Sequence, residues 1–436
     1  MTSAIEKIWA EIDKNQDEVV ELTRELVKIP SVNPKFQAEQ GLNREADVQT
    51  LIQGQLKDAG FKTDRWDVFE NRPNVTGEWE GSDEKSLILC GHIDVVPVGD
   101  ASAWDHDPFG GQVDKGRVWG RGAVDMKGGV AACLAAANAI RRAGVELNGR
   151  LAIHSVVDEE AGGFGAMDLV KTRRLAKRAI VAEPTWGAVV PAEGGLSWVR
   201  VTIFGKQAHA GWRFNSIWPQ PHTEGRIEPG VNAIELANRF LNALRDFETS
   251  RCRDNWHPLV PAGLATINPG VIRGGAGMGE DGNPAIMTNA AIISDVVTID
   301  LDYKFMPDED FEDVKAEFEA FVANFAAMDP WMRENPPKIL WDLFDLNFPP
   351  MNTPIDHPLT QSLFERAGQI QAKKPQIKGF EAVTDGAHYA GAGVDTVIYG
   401  PSGDGFHGNN ECVDIASLVE VTKVIAAAVI DNCGTK

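Results

Sequence analysis

Side chains that could bind a metal ion recur where apolar, strand-like stretches of the sequence end. They are His92, Asp94, Asp125, Glu159, Glu160, Glu183 and His407. Taken singly, such a residue is more typical of a hydrogen-bonded core histidine, a helix cap or a solvated acid. In open α/β sheets, however, ligands gather at the carboxyl ends of the strands. Because nitrogen and carboxylate ligands suit zinc, manganese or cobalt better than calcium or magnesium, the recurrence predicts a site for such an ion.

Three consecutive acids, Asp158, Glu159 and Glu160, stand at the end of the stretch IHSVV. Neighbouring like charges repel, so the triplet indicates either a solvated loop or a nearby cation. Adjacent residues of an extended chain point to opposite sides, and the two glutamates can share a site only if the backbone turns. Gly162 and Gly163 allow such a turn. Asp158 is interpreted as a bystander or a support.

The stretches that carry these residues are of strand length and alternate with helical patterns. This predicts an α/β catalytic domain with a mostly parallel sheet flanked by helices. The strand candidates are SLILCGHIDVV, RLAIHSVV, RAIVAE and DTVIYG. The helix candidates are IEKIWAEIDKNQDEVVELTRELVKI, GGVAACLAAANAIRRAG, HPLTQSLFERAGQI and ASLVEVTKVIAAAVID. The domain is predicted to be discontinuous, at residues 1–194 and 350–436.

A smaller α+β domain is predicted at residues 195–349, where the strand candidates alternate as antiparallel strands with one covered face do. Its strand candidates are LSWVRVTIFG and SDVVTIDLDYKFMP, and its helix candidates are NAIELANRFLNALRDF and DEDFEDVKAEFEAFVANFAAM. Residues 211–230 and 274–289 are interpreted as long excursions of the chain, a feature that is often functional.

The bulk composition is normal for a globular protein. A chain of 436 residues is too long for one ordinary core, and its formal net charge of -21 disfavours nucleic acid or an anionic membrane as the partner. Its five cysteines form no CxxC pair, which is typical of a reducing compartment. No secretory signal is evident, and no apolar run approaches the ~18 residues of a membrane span. We therefore expect a cytoplasmic protein.

Six motifs occur in the order in which one enzyme family carries them. They are GHIDVVP, GRGAVDMKGG, DEEAGG, AEPT, KQAHAG and GPSGDGFHGNNE, and they run from residue 91 to residue 411. Together they make the chain resemble the M20 metallopeptidases, which include acetylornithine deacetylase, succinyl-diaminopimelate desuccinylase, aminoacylase and glutamate carboxypeptidase. The resemblance implies an inserted lid domain, a homodimer formed through that lid, and two divalent metal ions, with zinc favoured over manganese or cobalt.

The resemblance also implies which side chains bind the two ions. One ion would be bound by His92, Asp125 and Glu183. The other would be bound by Asp125, Glu160 and His407, with Asp125 bridging the pair.

Catalytic roles follow from the same resemblance. Glu159 would be the general base that takes a proton from a water between the ions and delivers it to the departing nitrogen. The carboxylate of Asp94 would accept a hydrogen bond from His92 and fix its ring. His209, in KQAHAG, would stabilise the oxyanion, often from the other subunit. On its own, His209 would be interpreted as a turn histidine.

Two positions depart from the family pattern, in which arginines commonly anchor a substrate carboxylate. Lys304 occupies the first, in DLDYKFMP, and keeps the charge without the bidentate fork. Ala387 occupies the second, in VTDGAHYAGAG, beside His388.

Aromatic and basic residues are also concentrated after His209. They are Trp212, Arg213, Phe214, Trp218 and Arg226. Because tryptophan is favoured at interfaces, the interpretation that we favour is a lid or dimer contact. The alternative is a substrate pocket with aromatic walls.

Three functions remain open at this stage. The favoured one is a metal-dependent hydrolase that cleaves the amide C–N bond of an N-acyl amino acid or a related small molecule. The altered carboxylate anchors and the aromatic stretch also admit hydrolytic deamination of an activated aromatic amine, as in the nitroanthranilate aminohydrolase of this superfamily. A non-catalytic binding protein on the same scaffold is disfavoured, because the base and every metal-ligand position are filled.

Overall fold

The chain forms two compact units. The structure is a computed structural model that describes residues 3–39, 41–217 and 229–436. Unit 1 comprises Met1–Glu193 and Met351–Lys436, and unit 2 comprises Gly194–Pro350. The sequence predicts the boundaries at 194/195 and 349/350, and the catalytic and lid roles of the units stay predictions.

Helices and strands alternate along unit 1, and unit 2 interrupts them. The helices are α1 (Ala4–Lys14), α2 (Asp17–Val27), α3 (Glu45–Asp58), α4 (Gly128–Arg142), α5 (Phe164–Thr172), α6 (Arg213–Ile217), α7 (Ala233–Asp254), α8 (Phe311–Ala327), α9 (Pro330–Glu334), α10 (Pro358–Ile370), α11 (Gly386–Gly391) and α12 (Ile415–Cys433). The strands are β1 (Lys62–Phe69), β2 (Arg72–Trp79), β3 (Ser82–His92), β4 (Gln112–Asp114), β5 (Arg117–Trp119), β6 (Gly149–Val156), β7 (Arg178–Val181), β8 (Val189–Glu193), β9 (Gly195–Phe204), β10 (Ile267–Met278), β11 (Pro284–Ile286), β12 (Val296–Phe305), β13 (Lys338–Leu340), β14 (Asn347–Phe348), β15 (Met351–Asn352), β16 (Ile377–Phe380), β17 (Asp395–Ile398), β18 (Gly403–Asp404) and β19 (Cys412–Asp414).

The main sheet of unit 1 is mixed, with three parallel pairs at its centre and a fourth, β16/β8, near one edge. Its strand order is β1-β2-β6-β3-β7-β17-β8-β15, and β16 pairs with β8. The pairs β6/β3, β3/β7 and β7/β17 are parallel, and they are formed by the four strands that the sequence predicts. The outer pairs β1/β2, β2/β6, β17/β8 and β8/β15 are antiparallel. The α/β class is therefore confirmed, and antiparallel edges are added to the predicted parallel core.

Helices cover both faces of this sheet. Every residue from Ser86 to His92 in β3 is buried, so the strand has no solvent-facing side. The helices α4 and α12 pack on each other and on β3, and α11 packs on β7 and β17. The stretch Ala123–Arg142 is apolar and long enough to span a membrane by composition, so the prediction that no run approaches this length is wrong. Since 89% of its most apolar window is buried within the fold, it has the burial of a core helix.

Gly129 allows α4 to pack closely on the chain after β7, and a substitution there is expected to destabilise the protein. A Cβ at Gly129 would lie 2.0 Å from the carbonyl oxygen of Ala182, a backbone atom that cannot easily move. We expect Gly129→Ala to lower the free energy of unfolding by about 1 to 3 kcal/mol, measured by urea denaturation. The control is Gly54→Ala in α3, where nothing lies within 4 Å and a small gain in stability is expected. Equal stability of the two variants would contradict this packing.

Unit 2 is an antiparallel sheet with helices packed on it. The strand order is β11-β10-β12-β9-β13, and β14 also pairs with β9. Its core includes side chains of α7 and α8 together with those of β9 and β12. Residues 274–289, interpreted as an excursion, instead include the end of β10 and the strand β11, which pair as a hairpin. The end of β10 was not predicted from the sequence, because it is rich in glycine and glycine has a low strand propensity.

Candidate metal centre

The predicted metal-binding side chains are carried by separate loops of unit 1. His92 is the last residue of β3, and Glu183 follows β7. Glu160 follows β6, Asp125 precedes α4, and His407 lies between β18 and β19. Because β6, β3 and β7 are parallel neighbours, their carboxyl ends meet at one edge of the sheet. This edge brings together side chains that are far apart in the sequence.

Asp125 lies between the two histidines. Its Oδ1 is 3.4 Å from His92 Nε2, and its Oδ2 is 3.4 Å from His407 Nε2. His92 Nε2 also lies 3.3 Å from Glu183 Oε1, whereas His407 Nε2 lies 3.0 Å from Glu160 Oε2. Each oxygen of the Asp125 carboxylate therefore faces its own imidazole, and each imidazole has a further glutamate. This grouping matches two cation positions that share one aspartate.

The donor atoms fit divalent cations. Ligand atoms of His92, Asp125 and Glu160 lie within 4.8 Å of one another, and so do those of His92, Glu159 and Glu183. His92 Nε2 and Glu183 Oε1 are buried but make no well-directed hydrogen bond within the described part of the chain. Since buried polar atoms are nearly always paired, these two atoms point to a partner other than a protein side chain.

The pKa shifts of the glutamates and of His407 indicate that positive charge stabilises the centre. Burial, reinforced by Asp125, raises the pKa of Glu160 to about 7. Burial also raises the pKa of Glu183, and it raises the pKa of Glu159 well above its usual range. Hydrogen bonds that His407 donates to the carboxylates of Asp125 and Glu160 raise the pKa of His407 to about 10. Protons or metal ions must therefore supply positive charge to this cluster.

Asp94 makes contacts that differ from the expected one. His92 Nδ1 lies 2.9 Å from the backbone carbonyl oxygen of Asp94, and the nearest carboxylate oxygen of Asp94 is 3.7 Å away. That carboxylate instead accepts the backbone N–H groups of Glu159 at 3.1 Å and Glu160 at 3.2 Å. The main chain of Asp94 thus orients the imidazole, because β3 ends at His92 and its next carbonyls are free of the sheet. The side chain of Asp94 holds the loop that carries Glu159 and Glu160, which we call the glutamate loop.

Asp158 stabilises the glutamate loop, so of the two predicted roles it has that of a support. Its side chain is fully buried, accepts a hydrogen bond from Lys35 Nζ at 2.5 Å and forms an ion pair with Arg72 Nη1 at 2.9 Å. Its backbone has a φ of 68°, in the left-handed region. Such a conformation costs a non-glycine residue about 1 to 2 kcal/mol, which the buried ion pairs offset. The chain therefore turns at Asp158, directly before Glu159 and Glu160, as well as at the glycines that follow.

Glu411 holds the loop that carries Asp125, a role that the sequence does not predict. Its buried carboxylate accepts the backbone N–H groups of Gly122 at 3.0 Å, Val124 at 3.1 Å and Asp125 at 3.1 Å. Arg121 Nη1 donates to it at 2.6 Å. The only sequence signal was its place at the end of the motif GPSGDGFHGNNE.

Asp385 is a second acid without an assigned role. It is fully buried, and neither carboxylate oxygen has a hydrogen-bond partner among the described residues. Burial raises its pKa well above the usual range, while the charge of His92 opposes the rise. The carboxyl group of Asp385 therefore lies close enough to the metal centre to sense its charges. Asp385 lies in the motif VTDGAHYAGAG, two residues before Ala387, and its role was not predicted from the sequence.

His209 belongs to unit 2. Its side chain is exposed, and its Nδ1 accepts the backbone N–H of Gly211 at 3.0 Å. In a neutral imidazole, an accepting Nδ1 leaves the proton on Nε2. His209 can therefore present an N–H donor from Nε2, as an oxyanion-stabilising group must.

The aromatic stretch after His209 is described only in part. Trp212 is 40% exposed, and Phe214 is 50% exposed, so both rings are open to a ligand or a partner surface. Arg213 forms an ion pair with Glu235 within unit 2. Trp218 and Arg226 lie outside the described residues. The choice between a contact surface and a substrate wall stays a prediction.

Comparison with known proteins identifies the family. The profile of Peptidase family M20/M25/M40 matches residues 88–431. The chain belongs to this family. It is 33% identical over 450 residues to the N-formyl-4-amino-5-aminomethyl-2-methylpyrimidine deformylase of Bacillus subtilis, with 100% of this chain and 99% of the relative covered.

Solved structures show the same fold. Aminopeptidase PepT from Bacillus cereus matches with a TM-score of 0.70 at 19% identity, covering 96% of this chain and 99% of the other. A dinuclear metal-binding peptidase of the M20 family from Bacillus subtilis matches with a TM-score of 0.63 at 14% identity, covering 97% and 100%. The family and the α/β fold are thereby confirmed.

The protein is a metal-dependent hydrolase that acts on an amide C–N bond. This is the function that the sequence analysis favoured, and the relationship to a deformylase supports it over the full length of both chains. Neither hydrolytic deamination of an aromatic amine nor a non-catalytic role is favoured by these comparisons.

Proposed function

We propose that the protein removes the formyl group from an N-formylated aminomethylpyrimidine or a close heteroaromatic analogue. The observation that carries the proposal is the 33% identity to the Bacillus subtilis deformylase across 100% of this chain. Hydrolysis would add one water across the C–N bond and release formate and the free amine. The ring of such a substrate is heteroaromatic, and the substrate has no carboxylate.

The departures from the family pattern support a substrate without a carboxylate. Ala387, which stands where an arginine anchor is common, is uncharged and fully buried. Lys304 in β12 keeps a positive charge but cannot form the two parallel hydrogen bonds of a guanidinium group. N-acyl amino acids, which need such an anchor, are therefore less suitable substrates than a neutral formamide.

Two divalent ions fit the centre, and we propose zinc, with manganese or cobalt as alternatives. His92, Asp125 and Glu183 would hold one ion, and Asp125, Glu160 and His407 would hold the other. Bound ions of this kind lower the pKa of water and polarise a carbonyl group.

The protein side chains would move the protons. Glu159 would take a proton from the attacking water and deliver it to the departing amine nitrogen. Burial raises the pKa of Glu159, so its carboxylate would be a stronger proton acceptor than that of a solvated glutamate. His209 would donate from Nε2 to the developing oxyanion. Asp94 would orient His92 through its main chain and hold Glu159 through its carboxylate.

A homodimer formed through unit 2 and a cytoplasmic location complete the proposal. Both are supported by the family resemblance and by the composition of the chain.

The substrate proposal predicts release of formate that depends on metal. Protein reconstituted with zinc, manganese or cobalt is expected to release formate and amine in equal amounts from N-formyl-4-amino-5-aminomethyl-2-methylpyrimidine. A chelator should abolish the reaction, and added metal should restore it. Formate is measured by a coupled dehydrogenase assay, and the amine is measured by chromatography.

Competing substrates serve as the control. N-acetylornithine and other N-acyl amino acids test the wider deacylase reaction, and an aminoaromatic compound tests release of ammonia. Higher kcat/KM for an N-acyl amino acid than for the formamide would overturn the substrate proposal. Ammonia release without formate would replace amide hydrolysis by deamination.

A further inference from the structure

The side-chain amide of Asn33 bridges two buried acids, Asp94 and Asp158, that contact or belong to the glutamate loop. Its Nδ2 donates to Asp94 Oδ2 at 2.8 Å and to Asp158 Oδ1 at 3.0 Å. Asn33, Asp94 and Asp158 are all fully buried. Two carboxylates so close together repel each other at low dielectric, and a neutral group with two N–H donors relieves that repulsion without adding charge.

The orientation of this amide is fixed by its other contacts. Asn33 Oδ1 accepts the backbone N–H of Lys35 at 3.0 Å, so the NH₂ group must face the acids. The backbone N–H of Asn33 donates to the carbonyl oxygen of Val95 at 2.9 Å. The segment that carries Asn33 is therefore tied to the chain just after Asp94.

The two acids that Asn33 joins control the backbone of the glutamate loop. The oxygens of Asp94 accept the N–H groups of Glu159 and Glu160, one each. Asp158 is the residue at which that loop turns. Asn33 thus reaches both ends of the turn that sets the two glutamates on the metal centre.

Among the described residues, Asp158 forms ion pairs with a lysine and an arginine, whereas no such ion pair is formed by Asp94. Asp158 pairs with Lys35 and with Arg72, and Arg72 also forms a two-point ion pair with the buried Glu45. Asp94 accepts hydrogen bonds from Asn33 and from two backbone N–H groups. Among the described residues, the one basic side chain recorded within 4 Å of its carboxylate is His92, at 3.7 Å. Asn33 is therefore the only side chain of the described part of the chain seen to donate to the Asp94 carboxylate.

We propose that Asn33 is a positioning residue that aligns Asp94 with the backbone of Glu159 and Glu160, and so sets the general base and a metal ligand. The effect on turnover rests on the roles proposed for those two glutamates. The effect on the loop does not rest on those roles, because it concerns hydrogen bonds between Asp94 and the main chain.

Hydrogen exchange at individual amides of the metal-loaded protein tests this role. In Asn33→Ala, exchange at the amides of Glu159 and Glu160 is expected to rise about fivefold or more, since both hydrogen bonds to Asp94 lose their alignment. Asn33→Asp is expected to have the larger effect, because it adds a third carboxylate to the pair. Turnover of the formamide should fall about 10- to 100-fold in kcat with little change in KM.

Asn43→Ala provides the matched control. Asn43 Nδ2 donates to the carbonyl oxygens of Val32 at 2.6 Å and Gln37 at 2.9 Å, in the same segment, but contacts neither acid. Its removal should leave exchange at Glu159 and Glu160 unchanged. Unchanged exchange in Asn33→Ala, or an equal rise in Asn43→Ala, would overturn the positioning role. If the wild-type protein releases no formate but the exchange pattern is as expected, the substrate proposal fails and the positioning role stands.

Discussion

Replacing Glu159 with glutamine is expected to lower kcat by about 10²- to 10⁴-fold while both metal ions stay bound. Loss of a general acid–base group has an effect of this size. Glutamine keeps the shape of the side chain but cannot take up the proton of the attacking water. The hydrogen bond to Asp94 comes from the backbone N–H of residue 159, so the loop should keep its position in the variant.

The geometry of the centre makes this experiment decisive, because Glu159 could also be a metal ligand. Its Oε2 lies 3.7 Å from His92 Nε2, and a ligand atom of Glu159 lies within 4.8 Å of those of His92 and Glu183. Substitution of a base and substitution of a ligand have different effects on the metal content of the protein. Removal of a ligand weakens binding of an ion, whereas removal of the base leaves the ions in place.

Glu160→Gln is the matched comparison, since it changes the adjacent residue in the same way. Glu160 Oε2 faces His407 Nε2 at 3.0 Å, and the variant is expected to lose affinity for one ion. Metal content after dialysis, measured by mass spectrometry, and kcat under excess metal separate the two roles. If Glu159→Gln loses an equivalent of metal and regains activity in excess metal, Glu159 is a ligand and the base must be another group.

Local sequence patterns predict the central strands but not all the elements around them. The strands β3, β6, β7 and β17 are recognisable because each is a short apolar run between turn signals. The predicted N-terminal helix is two helices, α1 and α2, separated at residues 15 and 16. Its apolar spacing continues across the break, so periodicity alone does not reveal it. The strand β11 lies in a glycine-rich stretch whose apolar run, residues 285–287, is too short to indicate a strand.

The candidate ligands could be predicted because the chemistry restricts their type and the strand ends restrict their place. Their supports could not be predicted in the same way. The side chain of Asp158 is held by Asn33, Lys35 and Arg72. These residues are distant from Asp158 in the sequence and contact it only in the folded chain. Glu411 has no local signal either, because a glutamate in a polar loop is normally solvated. Burial, which decides the role of both acids, is a property of the tertiary structure.

Glu411→Gln is expected to destabilise the protein by about 3 to 5 kcal/mol and to weaken metal binding. The variant would leave the guanidinium group of Arg121 buried without its carboxylate, a change that is costly in proteins. An amide would also place an N–H group against the backbone donors of the Asp125 loop. Arg121 Nη2 donates to the carbonyl oxygen of Gly408 at 2.8 Å, beside His407, so both ligand loops would lose support. Affinity for the ions should therefore fall about 10- to 100-fold.

Asp414→Asn is the control for this variant, because it removes a carboxylate from a nearby but more exposed ion pair. Asp414 Oδ1 lies 2.8 Å from Arg117 Nε, and the two side chains are 36% and 33% exposed. Such a pair contributes about 0 to 1 kcal/mol, and no effect on the metal is expected. Urea denaturation in excess metal measures stability, and titration of the metal-free protein measures affinity. If the two variants lose equal stability and bind metal equally well, Glu411 does not hold the Asp125 loop, and the buried hydrogen bonds to that loop contribute no more than a surface ion pair.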